Sequence, residues 1–172
     1  MRYIVKEFDK PLLIFSADMN SSNSNLQIEK IYEENDAFFP LNLTVSNGGL
    51  ESWLKHRVIP KNRAYVDALL SKTGLSANRP LGIIAVCKGL SLNDCYWVDS
   101  ADNESSFAKV NLYDNRFSTI LASIAFTGYG SSVRSSLFSS PEFSTNGMLP
   151  KCWRRINGKI YLYKGGTSGF SN

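Results

Sequence analysis

The Asn157-Gly158 dipeptide constrains the fold of this chain more strongly than any other short segment. It separates two runs in which apolar and basic residues alternate, 149–156 and 159–164. Both central positions of a two-residue type I′ turn require a positive φ, which asparagine and glycine tolerate best. The sequence therefore predicts a β-hairpin here.

The predicted hairpin also carries the positive charge of the chain. From residue 149 onward there is no acidic residue, and the basic residues are Lys151, Arg154, Arg155, Lys159 and Lys164. The net charge of all 172 residues is only +4, so the rest of the chain is close to neutral. Such a local concentration indicates an anion site, for example a phosphate contact, rather than a basic surface along a nucleic-acid groove.

Aromatic residues alternate with the basic ones on this hairpin. Trp153, Tyr161 and Tyr163 could stack on the bases of single-stranded nucleic acid. The same alternation is typical of any half-buried hairpin. We therefore expect no direct nucleic-acid binding.

The rest of the sequence predicts an α+β fold. Three runs of branched and aromatic residues, at 2–6, 12–15 and 26–32, indicate a small antiparallel N-terminal sheet. Helical spacing around Trp53, a segment after Pro60 and a segment opening at Pro80 indicate a helical subdomain.

Two further elements are predicted between this subdomain and the hairpin. Residues 95–98 read as a strand. A helix is expected to begin near Asn115 and to end at Gly128. Its apolar stripe, which should face the core, comprises Phe117, Ile120, Leu121, Ile124 and Ala125.

Composition divides the chain into three parts. Residues 1–128 form an N-terminal domain of sheet and helices. Residues 129–140 are rich in serine and glycine and are predicted to connect two subdomains. Residues 141–172 contain a short loop and the hairpin.

Several classes of protein are disfavoured by the residues present. No apolar run approaches the ~18 residues of a membrane span, and the first residues lack a secretory signal, so we expect a cytoplasmic protein without membrane contact. The three cysteines, Cys87, Cys95 and Cys152, have no metal-site spacing and are predicted to be reduced packing residues. His56 is the only histidine, so neither a histidine metal cluster nor a catalytic triad is expected.

The segment before the hairpin has features of a phosphate loop. Gly147 in a turn lets backbone N–H groups approach an anion, and Lys151 and Lys164 can supply charge to the same anion. Spacing alone leaves a second interpretation open, in which the glycine only forms a turn and the lysines are solvated strand ends.

The order of these residues resembles that of HipA-like serine/threonine kinases. Ser144-x-x-Gly147-x-x-Pro150-Lys151, followed by a hairpin that ends at Lys164, is similar to their S-x-x-G-x-x-P-K loop and nucleotide lysine. Upstream, residues 90–97 resemble the L-S-L-x-D-x-Y-W segment of the Firmicute-type branch. Residues 107–118, followed by Ser140-Pro141-Glu142, provide a third match in family order.

The resemblance implies a nucleotide site. ATP is expected to bind at Asn146, Gly147, Lys151 and Lys164, and Ser144 occupies the position of the autophosphorylation site. Residues 1–128 would then be a HipA-like N-terminal domain, and residues 141–172 an incomplete kinase N-lobe.

Phosphoryl transfer needs an aspartate base and a metal-binding aspartate, which this family takes from a later C-terminal lobe. No aspartate follows Asp114, and the only later acid is Glu142. We therefore expect no catalytic residue and no metal ligand in this chain, with Mg²⁺ binding only together with the missing lobe. We also expect a truncation before that lobe and a frayed tail after Lys164.

The resemblance also implies partners. HipA-like kinases act as toxins that pair with a DNA-binding antitoxin, so the expected partner is either that protein or a separate C-lobe kinase subunit. The alternative is a protein-interaction module without catalysis, an antitoxin-like or adaptor subunit that keeps the fold and does not bind nucleotide.

Overall fold

The computed structural model describes residues 1–19, 21, 25–131 and 140–166. Over these ranges the fold is mixed α+β, with a four-stranded antiparallel sheet, several helices and a separate two-stranded hairpin, as predicted. The predicted connection at 129–140 is described only at its two ends. The predicted frayed tail lies outside the described residues beyond Gly166.

The four-stranded sheet has the order β3-β2-β1-β4. Its strands are β1 (Arg2–Glu7), β2 (Lys10–Ser16), β3 (Gln27–Ile31) and β4 (Tyr96–Ser100). The three N-terminal strands and the strand near residue 96 confirm the predictions. The antiparallel pairing of β4 with β1, in which Val98 lies opposite Val5, was not predicted because no local pattern identifies so distant a partner.

The helices lie between β3 and the hairpin in the sequence, and β4 follows the third of them. They are α1 (Asn47–His56), α2 (Val66–Lys72), α3 (Pro80–Cys87), α4 (Phe107–Val110) and α5 (Thr119–Thr127), with 3₁₀ helices at Glu33–Phe38 and Pro141–Phe143. Proline begins α3 as predicted, since its fixed φ suits the first helical position. The short α4 was not predicted.

The predicted start of α5 is wrong by four residues. The helix begins at Thr119, because the Ser118 hydroxyl accepts the N–H of Leu121 and caps the first turn. Ile120, which was predicted to face the core, is 42% exposed, and Ala122 is buried instead. Gly128 ends the helix with a φ of +78°, as predicted.

One hydrophobic core joins the sheet to α1, α2, α3 and α5. Its fully buried large side chains include Phe15, Leu50, Leu54, Leu69, Ile84 and Phe143. Burial of each such side chain contributes roughly 1.5–3 kcal/mol, so this core accounts for most of the stability. A smaller cluster contains Leu90, Trp97, Phe107 and Leu112.

The hairpin consists of β5 (Lys151–Ile156) and β6 (Lys159–Lys164). Asn157 has a φ of +49° and Gly158 a φ of +77°, which confirms the predicted turn. Its strand β5 packs on α5 and on the 3₁₀ helix Pro141–Phe143. This packing positions the loop between Ser144 and Pro150.

The cysteines and the helix lengths can be compared with the sequence predictions on metal sites and membrane spans. Cys87 and Cys152 are buried and Cys95 is half-buried, which agrees with their predicted packing role. None of the helices in the described part of the chain combines the length and hydrophobicity that a bilayer crossing requires.

Candidate functional site

Lys151 and Lys164 are cross-strand partners at the open end of the hairpin. The backbone bond from Gly165 N–H to the Pro150 carbonyl flanks this pair, so the two lysines occupy a non-hydrogen-bonded position, where opposing side chains come closest. Like charges in that position repel each other. Neither lysine forms a salt bridge with any acid in the described ranges, so the hairpin end offers two positive charges to an anion.

The side chain of Lys151 folds into the preceding loop. Its Nζ donates to the Asn146 carbonyl at 2.8 Å, and only 8% of the residue is exposed. Burial lowers the pKa of this amine, and the nearby charges of Arg63 and Lys164 lower it further.

Gly147 makes this conformation possible. Its φ is +96°, which an L side chain rarely adopts, and a Cβ at this position would overlap Nζ of Lys151. The structure therefore brings three of the predicted residues, Asn146, Gly147 and Lys151, into direct proximity, with Lys164 opposite on β6.

The loop itself can supply further hydrogen-bond donors. Residues 146–149 are exposed, and their backbone N–H groups donate to no acceptor within the described part of the chain. Backbone N–H groups that converge in a loop form a concave site for anions. The loop therefore leaves N–H donors available to an anion next to Lys151.

Arg63, which the sequence did not single out, holds both ends of this loop. Its Nη1 donates to the Thr145 carbonyl at 2.8 Å and its Nη2 to the Lys151 carbonyl at 2.5 Å. The guanidinium is fully buried. The adjacent Ala64 N–H donates to the Met148 carbonyl at 2.8 Å, so the segment before α2 fixes the loop at three points.

Glu142 lies 3.9 Å from Arg63, and both side chains are fully buried. One carboxylate oxygen accepts the Trp153 N–H at 2.9 Å, whereas Oε2 and Arg63 Nε have no hydrogen-bond partner among the described residues. Burial raises the pKa of Glu142 to about 7, although the Trp153 N–H and Arg63 favour the charged form. This residue thus titrates near neutral pH beneath the loop.

A hydrogen bond between Trp153 and Thr145 also stabilises the loop. The indole Nε1–H of Trp153 donates to the Thr145 hydroxyl at 2.7 Å, and this hydroxyl also bonds to the Pro141 carbonyl. The Trp153 ring therefore supports the loop conformation.

Ser144, the predicted autophosphorylation residue, faces a different hollow from the two lysines. It lines a cleft of about 390 Å³ with Asn146, His56, Arg57, Asp94 and other residues, whereas Gly147, Lys151 and Lys164 do not line it. The Ser144 hydroxyl donates weakly to the Pro141 carbonyl at 3.5 Å. His56 Nδ1 donates to the Ser52 carbonyl at 2.7 Å, which fixes its ring at the end of α1.

No local signal in the sequence could have identified Arg63. It follows Lys61 and Asn62 in the connection between α1 and α2, where an arginine is ordinarily exposed. The loop lysine and glycine were found because their spacing is short, whereas the Arg63 contacts join residues more than 80 positions apart.

Within the described ranges, histidine, cysteine and carboxylate residues form no group that could hold a metal ion. Comparison with protein-family models, curated proteins and solved structures finds no match to this chain. The HipA-like resemblance therefore rests on the motifs and their order, and it stays a prediction.

Proposed function

We propose that this chain binds the phosphates of ATP as the N-terminal part of a HipA-like serine/threonine kinase, the toxin of a toxin–antitoxin type system. The pairing of Lys151 with Lys164 beside the Gly147 turn is the observation that carries this proposal. Two facing lysines without an acidic partner are electrostatically unfavourable unless an anion lies between them.

The geometry suggests how the phosphates bind. Lys151 uses one of its three ammonium protons on the Asn146 carbonyl, which leaves the others for phosphate oxygens. Lys164 is exposed on the opposite strand and can close on the same group. Each charge-assisted hydrogen bond of this kind is worth roughly 1.5–3 kcal/mol.

The proposal assigns binding, not phosphoryl transfer, to these residues. Glu142, the nearest acid in the sequence, is enclosed beneath the loop and already accepts the Trp153 N–H. The general base and the metal ligands that transfer requires would come from a C-lobe kinase subunit, with a DNA-binding antitoxin as a second partner in the cytoplasm.

Calorimetric titration with the non-hydrolysable analogue AMP-PNP tests the proposal. Lys164→Met and Lys151→Met should each weaken binding by about tenfold or more, since each removes one charged donor. Lys159→Met is the matched control, because it removes the same charge from the other end of β6. Absence of binding to the native chain, or equal weakening by the control, would refute a phosphate site at the hairpin end.

A second candidate function is a protein-interaction module without nucleotide binding. The observation that favours it is the exposure of β6, whose outer edge pairs with no other strand in the described ranges and whose side chains Tyr161, Leu162 and Tyr163 are 36% to 45% exposed. If the chain is such an interaction module, it should not bind AMP-PNP and should associate tightly with an antitoxin or a C-lobe subunit. Leu162→Glu should abolish that association if the edge forms the interface.

A further inference from the structure

A second cleft, separate from the paired lysines, lies between the start of α5 and the hairpin. Its volume is about 760 Å³, within the range of small-molecule sites. It is lined by residues 116–119 and Phe126 at the start of and within α5, and by residues 152–158 and Tyr163 of the hairpin. Neither Lys151 nor Lys164 is among them.

All the charged residues that line this cleft are basic. Three arginines line it and no acidic residue does. Arg116 and Arg154 form no salt bridge with any acid in the described part of the chain. Arg155 points to the opposite face of β5 from Arg154, so Arg116 and Arg154 supply the positive potential that would stabilise a bound anion.

Arg155 is held rigidly at this cleft. Its Nη2 donates to the backbone carbonyls of Tyr113, at 2.5 Å, and of Leu112, at 3.0 Å. Its guanidinium also stacks on the Phe117 ring, 5.0 Å from the ring centroid. These contacts hold Phe117, which lines the cleft, in place before any ligand arrives, and this lowers the entropic cost of binding.

The start of α5 adds to the positive potential. Ser118 uses its hydroxyl to cap Leu121, and the N–H groups of Thr119 and Ile120 donate to no acceptor in the described ranges. Unsatisfied N–H groups in a first helical turn attract anions. The start of α5 therefore adds to the positive potential that Arg116 and Arg154 create in the cleft.

The remaining walls are aromatic. Phe117 and Phe126 are half-buried and Tyr163 is exposed, and all three residues line the cavity; Trp153 also lines it, but its ring lies on the opposite face of the hairpin from Tyr163. Aromatic walls favour a planar ring by offset or edge-to-face stacking. An apolar cleft with a few convergent polar groups is the usual form of a site that recognises one part of a ligand by shape and another by charge.

We propose that this cleft binds a small aromatic carboxylate, with the ring between the aromatic walls and the carboxylate at Arg116, Arg154 and the start of α5. The planar fork of an arginine matches the two oxygens of a carboxylate. This site is independent of the ATP proposal, because the residues that would hold the phosphates line neither wall.

Calorimetry with four probes tests whether the cleft recognises an aromatic ring and a carboxylate in the same ligand. 2-Naphthoate carries both features, 2-naphthamide only the ring, and cyclohexanecarboxylate only the charge; AMP-PNP tests the separate phosphate site. We expect 2-naphthoate to bind at least about tenfold more tightly than either partial probe. We also expect AMP-PNP to leave its affinity unchanged. Equal affinities for 2-naphthoate and 2-naphthamide, or competition by AMP-PNP, would overturn the proposal, as would no binding of 2-naphthoate.

Variants locate the site. Arg154→Gln and Arg116→Gln should each weaken 2-naphthoate binding by about tenfold, because each removes a charged donor. Lys159→Gln is the matched control, since it lies on the same hairpin but does not line the cleft. Equal effects of the control and the arginine variants would show a nonspecific charge effect and reject the site. The comparison of probes on the native chain needs no variant and decides the question even if one fails to fold.

Discussion

Lys151 and Lys164 lie directly opposite each other where the hairpin opens, and Lys151 turns its amine into the loop at Gly147. The native sequence thus keeps a repulsive pair at the place where its motifs predict a phosphate. The pair lowers the stability of the free protein and favours anion binding. Removal of one lysine charge should therefore raise stability and weaken binding.

Replacement of Lys164 by glutamate should therefore raise stability while it abolishes AMP-PNP binding. The repulsion across β5 and β6 becomes an attraction to Lys151, which contributes roughly 0.2–1 kcal/mol at low salt. Urea unfolding at low ionic strength measures the gain. Lys159→Glu is the control, because Lys159 lies opposite Ile156 and relieves no repulsion. A loss of stability in Lys164→Glu that exceeds the effect of the control would contradict the interpretation.

Gly147→Ala should disturb the loop more than Gly158→Ala does. Both glycines have a positive φ, so each alanine is strained by about 1 kcal/mol or more. Only at position 147 would the new Cβ overlap Nζ of Lys151, whereas nothing lies near the Cβ position at 158. We expect AMP-PNP affinity to fall in Gly147→Ala alone, as measured by calorimetry. Equal affinities of the two variants would show that the approach of Lys151 to Gly147 is unimportant.

Glu142 should make stability fall as the pH rises from about 4.5 to about 7. Its pKa in the folded protein is about 7, above the ordinary value of 4.5, so the folded state binds the proton more tightly than the unfolded state in that window. The loss amounts to about 3 kcal/mol and is complete above the folded pKa. Urea unfolding at several pH values measures it.

Glu142→Gln provides the control for this titration. The amide oxygen can still accept the Trp153 N–H, but it cannot ionise. The fall in stability between about pH 4.5 and about pH 7 should therefore be absent from the variant, whatever its absolute stability. A fall of the same size in both proteins would assign the titration to another group.

Arg57→Lys should destabilise the fold by about 2–4 kcal/mol. Arg57 binds both oxygens of Asp94, at 2.9 and 2.7 Å, and also donates to the carbonyls of Gly89 and Tyr96. A lysine amine cannot reproduce this planar set of donors. Thermal and urea unfolding give the change in free energy.

Lys55→Gln is the companion control to Arg57→Lys. Lys55 pairs with Glu51 at 2.8 Å on the surface of α1, an i,i+4 contact worth about 0.3–0.5 kcal/mol. Its loss should leave stability almost unchanged. If both variants lost the same small amount, Arg57 would not be the link between α1 and the segment before β4.

Much of the local structure follows from short stretches of sequence. The Asn157-Gly158 turn, the start of α3 at Pro80 and the end of α5 at Gly128 were predicted, because each depends on the φ preference or capping chemistry of one or two residues. The start of α5 was misplaced, since helical periodicity extends upstream to Phe117 but the Ser118 cap decides where the helix begins.

The sequence by itself determined the hairpin, its excess of positive charge and the short spacing that brings Asn146, Gly147 and Lys151 together. Only the tertiary structure decided that Arg63 holds the loop, that Glu142 is buried beside it, and which arginines share the second cleft. The physical reason is the range of the forces involved. Turn and cap preferences act between neighbours in the chain, whereas burial and ion pairing depend on which distant segments the common core packs against each other.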